Sequence, residues 1–260
     1  GGGYQPRRFD PRMGAFSIRY LDYGVPLDVP LTQRLAVRHR LTRDPETGAV
    51  EPIVYYVDAA APEPVRSALV EGASWWSEAF AEAGYPGAFR VEVAPDDLDL
   101  LDVRHHVIQW VHRSTRGWSY GNAISDPRTG EIIKGHVSLG SLRVRQDRLL
   151  FEGLLGVQKT GSGSFDDPTQ LALARIRQLA AHEVGHTLGL AHNFAASASG
   201  RASVMDYPAP RVRSDRSGGL DVSEAYGVGV GAWDVHAIRM LYAPVPAGES
   251  AAEFHDRLSR

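Results

Sequence analysis

Hydrophobic side chains recur at every third or fourth position in three segments of this 260-residue chain. That spacing places them on one face of an amphipathic helix. The first segment covers residues 62–84. The second begins after Asp167, which can cap a helix, with Pro168 at the first helical position, and it should end at Gly189. The third covers residues 231–243, so the pattern predicts three helices.

Shorter runs rich in β-branched and aromatic residues lie between the predicted helices and predict strands. Two runs flank DPETG at 44–48 and two flank DPRTG at 126–130, and both turn sequences favour a β-hairpin. Ile53–Val57 should be a core strand, and FRVEVAP and HHVIQWVHR, at 89–95 and 105–113, supply two more. Strands combined with helices in this order indicate an α+β or α/β sheet.

Residues 1–34 are rich in Pro, Gly and Arg and show no sustained period, which predicts an extended arm ahead of a domain over 35–260. Hydrophobic residues make up 43% of the chain and charged residues 23%, a balance typical of a globular protein with a substantial core. A net charge of -3 predicts no nucleic-acid partner, and no apolar run approaches the roughly 20 residues of a membrane span. We expect a monomer.

The stretch HEVGHTLGLAHN, at 182–193, carries the candidate chemistry. His182 and His186 are four residues apart on a predicted helix, so their imidazoles lie on one face and can bind one ion. Glu183 lies about 100° round the helix and can lean over the open side of that ion. Gly189 permits a sharp turn that brings His192 back as a third ligand.

Three histidine ligands predict a catalytic zinc ion with one position open to water, because structural zinc is usually bound by four protein ligands. The chain has no cysteine, so thiolate ligands and disulfides are excluded. Zinc lowers the pKa of water, and Glu183 can take a proton while that water attacks a carbonyl. The residues therefore predict one catalytic Zn²⁺ with Glu183 as general base.

H-E-x-x-H-x-x-G-x-x-H followed by a methionine turn resembles the signature of the metzincin zinc peptidases. The turn sequence is SVMDY at 203–207, with Met205 thirteen residues after His192. The helix is most similar to matrixins. PIVYYVD, DPRTGEI, HEVGHTLGLAHNF and SVMDY also resemble a little-characterised group of bacterial zinc-dependent metalloproteases, from Arg34 to Tyr242.

This resemblance implies a metzincin-like α+β fold, with a twisted mixed sheet, a backing helix and an active-site helix in an upper subdomain that ends near Gly189. A smaller lower subdomain, residues 190–260, would close the cleft. Met205 would form an apolar floor beneath the zinc. Tyr207 stands where astacin-like and serralysin-like enzymes carry a tyrosine that binds the metal or steadies the oxyanion, although a buried structural tyrosine is the alternative.

The resemblance also assigns a substrate-binding segment. Residues 135–141, GHVSLGS, resemble the metzincin edge strand, whose free backbone groups hold an extended polypeptide substrate. An ordinary edge strand without this role is the alternative. The family further implies a secreted, periplasmic or cell-envelope enzyme, although the sequence contains no signal peptide.

Together these features predict a zinc endopeptidase. Two alternatives stay open: an inactive module that retains zinc and binds a partner, and a zinc hydrolase of a non-peptide amide or ester. A second zinc or a structural Ca²⁺ is a further possibility, but the spacing of the other candidate ligands supports neither. Those candidates are His105, His106, His112 and His136 with the carboxylates of APDDLDLLD. Asp234 fits a helix-start carboxylate better than a brace for the methionine turn.

Overall fold

The structure is a computed structural model and describes residues 3–44, 46–115, 118–207, 209–214 and 218–259. Within these residues the strands are β1 (Ser17–Leu21), β2 (Thr32–Ala36), β3 (Ile53–Val57), β4 (Phe89–Val93), β5 (His106–Val111), β6 (Tyr120–Ser125), β7 (Ile132–Gly140), β8 (Arg213–Ser214) and β9 (Leu220–Asp221). The helices are α1 (Val65–Ser74), α2 (Trp76–Glu82), α3 (Leu142–Leu155), α4 (Pro168–Thr187), α5 (Ala232–Tyr242) and α6 (Ala251–Leu258).

Five of the strands form one mixed sheet in the order β4, β3, β5, β7, β6. The first four run parallel, and β6 pairs antiparallel with β7 across the DPRTG turn. Parallel neighbours need a crossover, and α1 with α2 supplies one between β3 and β4. The predicted second hairpin and the α+β fold are therefore confirmed.

The hairpin predicted around DPETG is wrong. Strand β3 pairs on one side with β4 and on the other with β5, both parallel, so neither edge is open to the residues before it. The antiparallel contact around this turn reduces to a single bridge between Arg43 and Val50. Pro45 of this turn lies outside the described residues.

The helical segment predicted at 62–84 is present as two helices, α1 and α2, which meet at Trp75. It ends at Gly84, whose φ of 90° lies in the left-handed region. Gly72 on α1 faces α4, and a Cβ there would lie 2.1 Å from the carbonyl oxygen of Arg177. The glycine therefore allows these two helices to pack backbone to backbone.

Helix α4 begins and ends as predicted. The side chain of Asp167 accepts a hydrogen bond from the backbone N–H of Thr169, and Pro168 occupies the first helical position. The chain leaves the helix at Gly189, which has a φ of 101°. A Cβ at Gly189 would lie 2.0 Å from the carbonyl oxygen of Val37, so the turn needs glycine for both conformation and space.

The N-terminal arm contributes to the core. Strand β1 pairs antiparallel with β2, and Met13 is fully buried. The arm then hydrogen-bonds to the chain just after α4, through Phe16 N–H to the carbonyl of Gly189 at 2.7 Å and Ala191 N–H to the carbonyl of Gly14 at 2.8 Å. The arm thus supports the turn that precedes His192. No helix of the described residues is long and apolar enough to cross a membrane.

Candidate active site

Three imidazoles converge at the C-terminal end of α4. His182 and His186 come from the helix, and His192 comes from the chain after the Gly189 turn. One ligand nitrogen from each lies within 4.8 Å of the other two. The Nε2 atoms of His186 and His192 are 3.1 Å apart. Two nitrogens bound to one tetrahedral zinc are separated by about 3.3 Å, so this spacing suits a shared ion.

Backbone carbonyls orient two of the rings. Nδ1–H of His182 donates to the carbonyl of Val204 at 2.6 Å, and Nδ1–H of His186 donates to the carbonyl of Leu190 at 2.9 Å. Each Nε2 therefore carries a lone pair toward the cluster. Nε2 of His182 is buried and has no hydrogen-bond partner among the described residues. A buried nitrogen without a partner is costly, and a metal ion would satisfy it.

The electrostatics keep these imidazoles neutral, as metal ligands must be. Burial, followed by the neighbouring His186, lowers the pKa of His182 to about 3. Burial also lowers the pKa of His186 and of His192. The three side chains therefore fit a zinc ion in geometry, tautomer and charge.

Glu183 is buried beside this cluster. Its carboxylate accepts a hydrogen bond from the backbone N–H of Gly121 on β6. Burial raises the pKa of Glu183 to about 7, against the opposing effects of the Gly121 hydrogen bond and of Arg175. A carboxyl group with this pKa can both accept and release a proton near neutral pH.

Gly121 is a site residue that the sequence analysis missed. A Cβ at this position would lie 2.0 Å from the carbonyl oxygen of Glu183 and 3.2 Å from Cβ of His186. Only glycine lets β6 approach α4 this closely, which is what brings the Gly121 N–H to the Glu183 carboxylate. A glycine inside a predicted strand is the signal that could have identified it.

The edge strand predicted at 135–141 is wrong. Those residues belong mostly to β7, which pairs with β5 on one side and with β6 on the other. The edge of the sheet is β6, the first strand of the hairpin, because it has no neighbour other than β7 in the described sheet order. Composition does not distinguish the two strands of a hairpin, so the sequence could not decide which one is outermost.

Met205 packs against helix α4 at Gly185, between the two helical histidines in the sequence. It is 1% exposed, and its Sδ atom is so close to Gly185 that a Cβ there would lie 2.3 Å from it. The same Cβ would lie 2.8 Å from the Trp76 ring. Gly185, between His182 and His186, therefore provides the space in which Met205 packs.

Asp234 both starts a helix and braces the methionine turn, whereas the sequence favoured the first role alone. One carboxylate oxygen accepts from Oγ of Ser203 at 2.6 Å. The other accepts from the backbone N–H of Val204 at 2.8 Å and of Gly231 at 2.7 Å. Since the carbonyl of Val204 orients His182, Asp234 positions a candidate ligand through one residue.

Tyr207 lies over the histidine cluster. Its ring centroid is 4.9 Å from that of His182 and 4.6 Å from that of His192. The residue is 57% exposed, so the alternative of a buried structural tyrosine is wrong. Its ring is thus exposed to solvent beside the cluster.

The other histidines do not form a second site. In the part of the chain that the structure describes, only His182, His186 and His192 form a cluster of three potential ligands. The remaining candidates have separate partners. His105 contacts the carbonyl of Asp99, His106 accepts from Gly135 N–H, His112 contacts Ser141 and His136 contacts Gln109.

The site has a helix that presents two histidines and a buried glutamate, a glycine turn that returns a third histidine, and a methionine packed against the same helix. This arrangement matches the signature of a metzincin-type zinc metallopeptidase site. Residues 164–260 match a family model described as Met-zincin. This match confirms the predicted resemblance to metzincins, while the matrixin-like subtype stays a prediction. A comparison with curated proteins finds no similar sequence.

Proposed function

We propose that the protein is a zinc-dependent endopeptidase with Glu183 as its general base. The observation that carries the proposal is the buried Nε2 of His182, which lacks a hydrogen-bond partner and faces two further imidazoles beside a buried carboxylate. A zinc ion bound by His182, His186 and His192 supplies a Lewis acid that polarises a peptide carbonyl and activates water.

Glu183 moves the proton. Its carboxylate takes a proton from the water that attacks the carbonyl carbon, and it delivers that proton to the nitrogen of the departing amine. A pKa of about 7 suits both transfers at neutral pH. The hydrogen bond from Gly121 N–H holds the carboxylate toward the cluster during the exchange.

The substrate lies along β6 in this proposal. The N–H of Gly121 points at Glu183 rather than at β7, so in an antiparallel ladder the backbone groups of Ala123 also face away from β7. An extended polypeptide can hydrogen-bond to this outer edge as a sixth strand. The edge borders α4, so the added strand would run past the histidine cluster.

Metal removal tests the proposed function. Treatment with a chelator should abolish cleavage of an unfolded protein, and one equivalent of zinc should restore it, because the three histidines need the ion to act on a carbonyl. Cleavage is followed by gel electrophoresis, and zinc content by elemental analysis. Hydrolysis of an ester or a non-peptide amide without proteolysis would show that the protein is a zinc hydrolase of non-peptide substrates. Bound zinc without any hydrolysis would support an inactive binding module.

Tyr207→Phe removes only the hydroxyl and keeps the ring beside the cluster. We expect the variant to keep its zinc and to lose about ten- to a thousandfold in kcat, because the phenol donates a hydrogen bond to the negative oxygen that develops during attack. Steady-state kinetics on a peptide measure the loss. Tyr56→Phe, on the other side of the sheet from the helix-facing Tyr55, is the control. Unchanged kcat in Tyr207→Phe would reject the role.

We also propose that the enzyme is monomeric and acts outside the cytoplasm, in the periplasm, at the cell envelope or after secretion. The metzincin match over residues 164–260 supports this location by family resemblance.

A further inference from the structure

Arg175 lies on the same helix as the active-site residues. It precedes His182 by seven residues, which is close to two full turns, so both side chains project from nearly the same side of α4. The guanidinium is near enough to Glu183 and to Tyr207 to oppose the rise that burial causes in the pKa of each. Arg175 is therefore a cation at the candidate active site that the proposed mechanism does not use.

The contacts of Arg175 leave its charge without an ion-pair partner. Nη1 donates to the side-chain oxygen of Gln178 at 2.6 Å, and the guanidinium carbon lies 5.9 Å from the ring centroid of Tyr226. No described carboxylate lies within salt-bridge distance of it. Asp147 acts on it only at longer range, and Nε of Arg143 donates to that carboxylate at 3.1 Å.

A partly buried cation without a paired anion is unfavourable. Burial, followed by the repulsion from Arg143, lowers the pKa of Arg175. Guanidinium groups stay charged in proteins. Either an anion from outside the chain pairs with Arg175, or its unpaired charge lowers the stability of the folded protein. Gln178 and Tyr226 leave several N–H donors of the guanidinium free for such an anion.

The surroundings of Gln178 form a small pocket on the same side of α4. Val204, whose carbonyl orients His182, lines it together with residues 227–230 and Arg201. The guanidinium of Arg201 donates to the carbonyls of Glu224 and Ala225 and so adds positive charge to the pocket wall. The pocket thus lies between α4 and residues 201–204 and 227–230. Arg201 lines it, and Arg175 adjoins it through its hydrogen bond to Gln178.

We propose that Arg175 makes this subsite selective for a carboxylate of the substrate. The carboxylate belongs either to an Asp or Glu side chain near the scissile bond or to the C-terminus of a peptide. A guanidinium matches a carboxylate with two parallel hydrogen bonds, and partial burial strengthens the pair relative to water. This inference rests on the proposed peptidase function, since it names the substrate class of the same site.

Peptides that differ only in charge test the inference. A set with Glu or Gln at each position around one cleavage site, made with a free or an amidated C-terminus, separates the two sources of the carboxylate. We expect one carboxylate position to raise kcat/KM by about ten- to a hundredfold in the wild type, mainly through KM. Arg175→Gln should remove this preference, so that the Glu peptide and its Gln counterpart are cleaved with equal kcat/KM.

Two further variants control for folding. Arg177→Gln removes a cation from the same helix, but that residue forms an exposed ion pair with Glu71, so the preference should stay. Arg175→Lys keeps the charge without the planar fork and should retain part of the preference. Zinc content and thermal melting are measured for each. Equal losses for charged and neutral peptides in Arg175→Gln would overturn the inference and indicate a structural role.

Binding provides a readout that does not depend on catalysis. Fluorescence anisotropy compares a labelled Glu-containing peptide with its Gln counterpart on the zinc-loaded protein. We expect the carboxylate peptide to bind about tenfold more tightly and the difference to vanish in Arg175→Gln. Selective binding without cleavage would refute the proposed peptidase and leave the subsite standing. Equal binding of the two peptides, with or without cleavage, would refute the subsite.

Discussion

Glu183→Gln will retain zinc and lower the rate of peptide hydrolysis by about a hundred- to ten-thousandfold. Glutamine has the same shape as glutamate, and its side-chain oxygen can still accept the hydrogen bond from Gly121 N–H. It cannot accept the proton of the attacking water. The fold and the three histidines are preserved, so the loss should appear in kcat, with little change in KM.

Single-turnover assays on a peptide, together with elemental analysis for zinc, measure this prediction. Glu71→Gln is the matched control, because Glu71 makes an exposed ion pair with Arg177 on the outer surface of α1 and α4. That variant should keep full activity. If Glu183→Gln kept its rate within about threefold, the general base would have to be another group. A variant that lost its zinc would instead indicate a structural role for the carboxylate.

Gly121→Ala will reduce kcat/KM by about a hundredfold although it adds one methyl group. The new Cβ would lie 2.0 Å from the carbonyl oxygen of Glu183 and 2.9 Å from its carbonyl carbon, both backbone atoms that cannot rotate away. Strand β6 must therefore move from α4 by about 1 Å, a displacement that can cost about a hundredfold in rate. The movement weakens the hydrogen bond to Glu183 and shifts the edge that would hold the substrate.

The same clash should also lower stability. Forcing a methyl group into a filled space costs about 1–3 kcal/mol, so the unfolding midpoint in urea should fall. Gly153→Ala on α3 is the control, since a Cβ there meets no atom within 4 Å and should leave activity unchanged. Wild-type activity and stability in Gly121→Ala would mean that β6 and α4 are farther apart than the structure has them.

Local geometry made the metal cluster predictable. The spacing of His182 and His186 brings their rings together on any α-helix, and Gly189 permits the turn that returns His192. The helix itself was predictable for the same reason, because Asp167 and Pro168 act on the backbone within three residues of themselves. These features depend on contacts between residues that are close in the chain.

The sequence did not predict correctly which strands pair when they are distant along the chain. The segment before β3 was predicted to form a hairpin with it, but the parallel neighbours β4 and β5 occupy both edges of that strand. For the same reason the sequence predicts β7 as the edge strand, whereas the edge is β6. Turn sequences report local propensity, whereas the choice among strand partners depends on how the whole sheet buries its faces.

The sequence alone therefore determined the cluster of three histidines, the neighbouring Glu183 and the helix that carries them, because those relations follow from backbone geometry over about ten residues. Only the tertiary structure brought Gly121 to Glu183 and Asp234 to the methionine turn, and it left Arg175 without a paired carboxylate. The contacts of Gly121 and Asp234 join segments separated by about thirty to more than sixty residues. Packing of the complete core decides such contacts, and no local pattern encodes them.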